Sequence, residues 1–409
     1  MLFRGLIPAV CFVACASESS VPAGAGGEGG DPDFTPKVEL GRHSLAVSAS
    51  RQIVPSPGLP QGLAHEANNN VAAIRHEGRT YVAWRTSKTH YASADTIMQV
   101  VSSADETTWT LETSLALGTD LREPNFLVLG GELYFYFSKL GKDSLAFEPQ
   151  GIFMTKRAKD GIWSAPVATN KAGYVGWRTK TMQGTPIMLA YVGGEHLYKF
   201  DGVPMTVERL TTTDGVSFEA LPGAPTAVGS GGTTETDYDF LPDGTGVAIM
   251  RNEAGDASGW GSKVCTFRGN DPWECRTDKR KYDSPYVFAY DGEVYLVGRR
   301  NLTETGNYDL DYDGLDTHGQ TVAYQIDYTR QRKRCAVWRF VPSEKRMAFV
   351  ADLPSRGDTC FPHVIEGSQP GEFVVYDYSS PLDGRDLPWS DAQRGETRIY
   401  RHVLRFQRR

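Results

Sequence analysis

One pattern recurs six times along this chain: a run of alternating apolar residues, a turn containing Gly or Asp-Gly, then a second run rich in Tyr, Phe and Val. The copies occupy 70–87, 125–140, 179–193, 237–253, 285–300 and 362–380. Period-two alternation broken by a glycine turn is the mark of a β-hairpin. Recurrence of one unit along a chain is the mark of a repeat architecture. Most copies are followed by a second hairpin whose return strand opens with an aromatic, at Trp109, Trp163, Phe218 and Trp273. Those positions are 54, 55 and 55 residues apart, an interval that unrelated loops have no reason to keep. The fifth copy is lengthened by an insertion at 302–330, and the sixth ends at 397–406, one strand short. A spare strand-like segment, 43–54, precedes the first copy. A strand missing at one end and spare at the other suits a closed ring, which leaves no free sheet edge. The expectation is an all-β fold, a six-bladed β-propeller of four-stranded antiparallel blades, over residues 37–409.

Composition agrees. There are 43 Gly and 23 Pro, and aromatics reach 11%, which suits short strands and tight turns. No apolar stripe of helical spacing stands out. The net charge is −7 and is spread through the chain, so no nucleic-acid partner is expected. The basic run Arg330–Arg334 reads as a solvated loop.

The first residues read as an export signal: Arg4, a short apolar stretch from Gly5 to Ala14, then Cys15. This arrangement over 1–15 resembles a bacterial lipoprotein signal, which implies lipidation of Cys15. Ordinary cleavage after Ala14-Cys15-Ala16 is the other reading. Residues 16–36 are small, polar and glycine-rich and read as a flexible linker. The expected protein is exported, meeting a membrane only through an N-terminal lipid at the cell envelope, or secreted, and monomeric. In such a chain the four remaining cysteines favour disulfides over free buried thiols. Cys265 and Cys275 flank a hairpin turn, which leaves Cys335 and Cys360 as the second pair.

The second hairpins carry a family resemblance. Ser103-Ala104-Asp105-Glu106-Thr107-Thr108-Trp109 and Thr212-Thr213-Asp214-Gly215-Val216-Ser217-Phe218 resemble the Asp-box, a Ser/Thr-x-Asp-Gly-x-x-aromatic turn, and Lys159-Asp160-Gly161-Ile162-Trp163 is a looser copy. With six units, the chain over about 43–406 resembles the sialidase-like (BNR repeat) propellers. Tyr81 to Trp109 is similar to the sialidase stretch that ends its first hairpin in Arg and then places an Asp. Thr234 to Asn252 is similar to the segment with Glu before an inner strand and Arg-Asn after the next.

The resemblance implies a glycoside hydrolase acting on terminal acidic sugars. It gives Asp95 the general acid/base role and Glu235 the partner role to a tyrosine nucleophile. Register alone places Arg85, Arg251 and Arg299 near one mouth, where three guanidiniums would clamp a carboxylate. Pairing of each with a neighbouring acid is the plainer reading, as is backbone capping for Asp95. Two positions depart from the family. Asn68-Asn69-Asn70 stands where sialidases have Arg-Ile-Pro. Cys360-Phe361-Pro362-His363 stands where the nucleophilic tyrosine opens the last inner strand, leaving Tyr378 as the one plausible replacement. Two-carboxylate hydrolysis stays open, with Asp95, Glu66, Glu123, Glu235 and Asp283 facing the mouth and His65, Arg122 and His363 lining it.

No cofactor is required by this chemistry. Asp309, Asp311 and Asp313, with Gly314 and Asp316, resemble a calcium loop, although the twelfth position is Gln320; a solvated acidic insertion is the alternative. Two other functions remain: a glycan-binding propeller without turnover, and a five-bladed furanosidase-like enzyme suggested by Arg122-Glu123-Pro124 and Asp283-Ser284-Pro285.

Overall fold

The computed structural model describes residues 37–39, 41–199 and 201–409. The export signal, Cys15 and the linker lie outside the described residues.

Six antiparallel sheets follow one another along the chain. Blade 1 is built from Ala67–His76, Arg79–Ser87, Ile97–Ser103 and Thr110–Leu115, paired in that order. Blades 2 to 5 repeat this meander from first strands beginning at Leu121, Val175, Thr233 and Asp283. In blade 3 the outer strand is split, and Glu219–Ala220 and Ala227–Gly231 both pair with Met205–Thr211. The first strands of all six sheets line one central channel.

Blade 6 closes the ring. His363–Glu366, Glu372–Ser379 and Arg398–Arg408 supply three strands, and the N-terminal segment supplies the fourth in two pieces. His43–Val47 pairs with residues 404–408 and Arg51–Val54 with residues 399–401. The expected closure by 43–54 is therefore present, with an irregular break between its halves. Ile53 and Val54 pack into one core with Val71, Trp84, Val374 and Ile399, which joins blade 6 to blade 1. Six sheets rule out a five-bladed ring.

The aromatic openings of the return strands seal one blade against the next. Trp109 sits in the core between blades 6 and 1, and Phe218 meets Tyr136 of blade 2 edge-on at 5.6 Å. The preceding turns share one geometry. Asp105 Oδ1 accepts from the backbone N–H of Thr107 (2.8 Å) and Thr108 (2.7 Å). Asp214 Oδ1 accepts from Val216 (2.8 Å) and Ser217 (2.7 Å). These N–H donors hold both carboxyls down at about 2. Gly215 needs to be glycine twice over: its φ is +79°, and a Cβ there would lie 2.3 Å from a Tyr134 ring carbon. The matching position in blade 1 is Glu106, at φ +55°. Its carboxylate accepts from Arg401 at 2.6 Å and Arg75 at 3.1 Å, so a departure from the glycine pattern links the closing blade to the first.

Disulfides join Cys265 to Cys275 and Cys335 to Cys360. The first spans directly opposed residues on adjacent strands of blade 4. The second ties blade 5 to the loop entering blade 6.

The insertion in blade 5 holds a helix that periodicity did not reveal. Helix α1, Thr317–Arg330, is capped by Asp316, which accepts from Gly319 N at 2.8 Å. Its buried stripe is Thr321, Tyr324, Tyr328 and Thr329. Hydroxyl-bearing side chains make that face, so no aliphatic stripe marks it. A short second helix, α2, covers Trp389–Ala392. The basic run is not a solvated loop either. It leaves α1 and enters a strand, where Lys333 is fully buried and donates to Asn301 Oδ1 at 2.7 Å, while Arg334 pairs with Asp386 at 2.7 Å.

Candidate active site

In five blades the pairing of the first and second strands slips one step near the start of the first strand, just after Asn69, Arg122, Gly176, Thr233 and Asp283. A bulge of this kind breaks the ladder and re-aims a side chain. Asn70, Glu123 and Ser284 sit at these slips with φ near +50°, a conformation that costs an ordinary residue about 1–3 kcal/mol. Asn70, Glu123, Glu235 and Ser284 thereby line one cavity at the mouth of the channel, joined by Phe361 from blade 6. Its volume is about 450 Å³. Gln325 and Thr329 of α1, Trp389 of α2 and Gln393 just after it raise one wall, while Tyr191 and Tyr198 form another.

Charge is dense here. Arg251 pairs with Glu235 at 2.9 Å and with Glu253 at 3.0 Å. Glu235 also accepts from Ser284 N at 2.7 Å. Burial raises the Glu235 carboxyl, opposed by Arg251. Glu123 accepts from the Asn70 amide at 3.0 Å. Burial, helped by the Glu235 charge, pushes Glu123 up to about 7. Arg122 pairs with Asp120 at 2.5 Å. Arg299 lies over the Trp389 ring at 4.7 Å, donates to Thr359 O at 2.6 Å and meets Asp283 at 3.3 Å. The cavity thus holds a carboxyl that is half protonated near neutral pH beside a second one braced by a guanidinium. Such a pair serves general acid–base chemistry.

The structure sorts the residues expected from sequence into three groups. Glu123, Glu235, Arg122, Arg251, Arg299 and Tyr378 line the cavity. Asp283 lies buried beneath it, accepting from Tyr328 at 2.6 Å. The others are elsewhere. Arg85 is fully buried outside the cavity wall, paired with Asp120 at 2.8 Å and donating to Tyr91 O at 2.8 Å, so the expected trio of guanidiniums does not converge. Asp95 is exposed and lies 3.6 Å from Lys88. His65 and Glu66 are exposed and outside the lining. His363 faces a second cavity in the channel, below the first, against Arg178 at 3.3 Å. Asp309, Asp311 and Asp313 are not gathered within ligand distance of one another. Asp311 pairs with Lys279, and Asp316 is taken by the helix cap.

Sequence reasoning missed His90, Asp120, Asp358, Tyr191 and Trp389. His90 lies in the loop after Arg85, the same loop as Asp95. Asp358 is fully buried and accepts from His90 (2.7 Å), Tyr378 (3.0 Å) and Trp389 (2.9 Å). Nothing in the local pattern distinguishes these positions, because their partners are distant in sequence: His90 meets Asp358 across the ring closure, and Asp120 meets Arg85 of the preceding blade.

No protein-family model and no curated protein sequence matches the chain. Solved structures do. A sialidase of Trypanosoma rangeli matches over 83% of this chain at 12% identity and a TM-score of 0.52. This chain covers 55% of that protein, about half its length. The phage phi92 endosialidase matches over 84% of this chain and 68% of its own, at 11% identity and a TM-score of 0.54. An α-L-arabinofuranosidase of Fusarium graminearum, determined with an iminosugar inhibitor, matches over 83% and 93% of the two chains at 12% identity and a TM-score of 0.51. The chain is therefore a divergent six-bladed propeller with the fold of sialidases and of this arabinofuranosidase.

Proposed function

We propose that this protein is a glycoside hydrolase that removes terminal sugars, with Glu123 as general acid and Glu235 as its carboxylate partner. The observation that carries this reading is two buried carboxyls in one cavity: burial pushes Glu123 up to about 7, and Glu235, also raised by burial, is braced in its charged form by Arg251 and the Ser284 N–H. Protonated Glu123 donates to the leaving glycosidic oxygen as the bond to the anomeric carbon breaks. Glu235 either takes a proton from the attacking water or bonds to the anomeric carbon before water replaces it. The anomer first released distinguishes the two routes. The proposed substrate is a chain end, with the α1 and α2 residues Gln325, Thr329 and Trp389 walling one side of the cavity. Tyr191, Phe361 and Trp389 supply apolar faces for a sugar ring.

This reading replaces Asp95 and a tyrosine nucleophile. Asp95 points to solvent, and the Tyr378 hydroxyl is buried on Asp358 with its pKa driven up by burial. An acidic sugar is the second reading of the substrate, favoured by Arg122, Arg251 and Arg299 reaching one cavity. Export is part of the proposal, since two disulfides suit an oxidising compartment. So is lipid at Cys15, which predicts palmitate labelling that Cys15→Ala abolishes. Among the described residues no helix is long and apolar enough to cross a membrane. The Asp105 and Asp214 turns are read as Asp-boxes on the face away from the cavity.

The test is a panel of 4-nitrophenyl glycosides and a sialoside, scored for release. Glu123→Gln and Glu235→Gln should each cut turnover roughly 10²–10⁴-fold. Turnover by wild type that neither substitution lowers would sink the assignment. Sugar binding without turnover would make the protein a glycan-binding propeller.

A further inference from the structure

Asp358 is the meeting point of four segments. Its carboxylate takes Nδ1–H from His90 at 2.7 Å, O–H from Tyr378 at 3.0 Å and Nε1–H from Trp389 at 2.9 Å. Its backbone N–H donates to Ser380 Oγ at 3.0 Å. All three side-chain donors line the cavity, while Asp358 itself is fully buried. A carboxylate only accepts, so the short contact requires a proton on Nδ1 of His90. Asn69 Nδ2 also lies 3.4 Å from that nitrogen, a longer contact that cannot be a hydrogen bond while Nδ1 is protonated. Nε2 has no hydrogen-bond partner among the described residues, and 14% of the side chain stays exposed. Burial lowers the pKa of this imidazole, opposed by Asp358, and that favours the neutral ring. A neutral imidazole protonated on Nδ1 presents a bare lone pair at Nε2.

We propose that His90, fixed in this tautomer by Asp358, is a substrate-binding residue whose Nε2 accepts a hydrogen bond from a hydroxyl of the terminal sugar. The inference rests on reading the cavity as a sugar site. It assigns the recognition of one ring hydroxyl, distinct from the acid–base work of Glu123 and Glu235. Acceptors of this kind discriminate strongly, because a sugar lacking the hydroxyl leaves a buried polar atom unpaired. The loop after the second strand of blade 1 thus brings an imidazole to the site and leaves its carboxylate, Asp95, in solvent.

The test uses the full chain. In wild type, nitrogen NMR of the His90 ring should show the proton on Nδ1; a proton on Nε2 overturns the inference without any variant. His90→Asn keeps an amide N–H near the Nδ1 position, so Asp358 stays satisfied, but it places nothing at Nε2. His90→Gln carries its carbonyl oxygen toward the Nε2 position and leaves Asp358 short of a donor. On whichever glycoside the wild type hydrolyses, His90→Asn should raise KM roughly ten- to hundred-fold with a smaller change in kcat and an unchanged melting temperature. His90→Gln should recover part of the affinity at a lower melting temperature. A merely structural histidine gives the reverse order, with Asn like wild type and Gln impaired, and that result overturns the assignment. If wild type hydrolyses no glycoside, the hydrolase reading has failed by itself. The same variants are then compared for binding of L-arabinose, D-galactose and N-acetylneuraminic acid by saturation-transfer NMR. Binding weakened in His90→Asn upholds the inference; equal binding, or none by wild type, overturns it.

Discussion

Arg251 lies 2.9 Å from Glu235, and both are almost fully buried in the cavity lining. The guanidinium also holds Glu253 at 3.0 Å. Glu253 is also held by buried Lys281 at 2.5 Å, so Glu235 is the carboxylate that relies on Arg251. Breaking a buried pair by removing one partner costs about 3–5 kcal/mol, since the other charge is stranded. Arg251→Ala should lower stability by about that much in urea unfolding, and Arg251→Met should do no better. A loss below about 1 kcal/mol would show that water reaches the pair freely.

Glu123 makes stability depend on pH. Its pKa rises from an ordinary 4.5 to about 7 in the folded chain. The folded state thus holds this proton more tightly than the unfolded state. Stability is greatest below pH 4.5 for this group and falls as the pH rises through the interval up to about 7. The full loss is of order 3 kcal/mol. Asp377, buried behind Phe361 and also raised to about 7, adds the same trend. Comparison with Glu123→Gln isolates the first contribution. That variant should gain on wild type between pH 5 and pH 8 in denaturant unfolding. An unchanged difference at the two pH values would show that Glu123 titrates normally.

The pH–rate profile of hydrolysis should be bell-shaped if Glu123 works as the acid. The basic limb should fall near pH 7 as Glu123 loses its proton. A basic limb unmoved by substitutions at Asn70, the Glu123 partner, would point to a different acid.

The segment that closes the ring should behave as core. Ile53 is 3% exposed and packs with Val71, Val374 and Ile399. Ile53→Ala should cost about 2–5 kcal/mol, as for other buried aliphatic truncations. A near-zero effect would mean that the first strand frays from blade 6. The disulfide between Cys335 and Cys360 offers a second handle, since it joins two blades across 25 residues of chain. Replacing both cysteines with serine should destabilise by about 2–4 kcal/mol. It should also loosen the wall beside Arg299, which donates to Cys360 O at 3.2 Å.

The ring was legible in the sequence because its signals are local. Alternation, Gly turns and a steady 54- to 55-residue interval are written within each unit. Even the closure and the Cys265–Cys275 pair follow from strand arithmetic. The site was legible only in part. Register placed Arg251 and Arg299, and the face of the strand ends placed Glu123, at the end of the ring where the cavity lies, while Glu235 came from the resemblance; but register gives a height on the ring and not a direction. Arg85 has the height of Arg251, yet Asp120 from blade 2 holds it outside the cavity. Asp95 and His90 share one loop, and the distant Asp358 and Arg122 both hold His90 at the cavity. Helix α1 carries no aliphatic stripe of helical spacing, because its buried face is made of threonine and tyrosine.

The slips at the channel mouth have a consequence for how such a protein can change. A residue at a slip contributes little to the ladder on either side, and its neighbours carry the pairing. Asn70, Glu123, Glu235 and Ser284 are therefore sockets in a frame. Exchanging the side chain in a socket alters what the mouth can bind or protonate while the frame stays closed. One ring can in this way carry many chemistries, at identities as low as those that relate it to the known propellers.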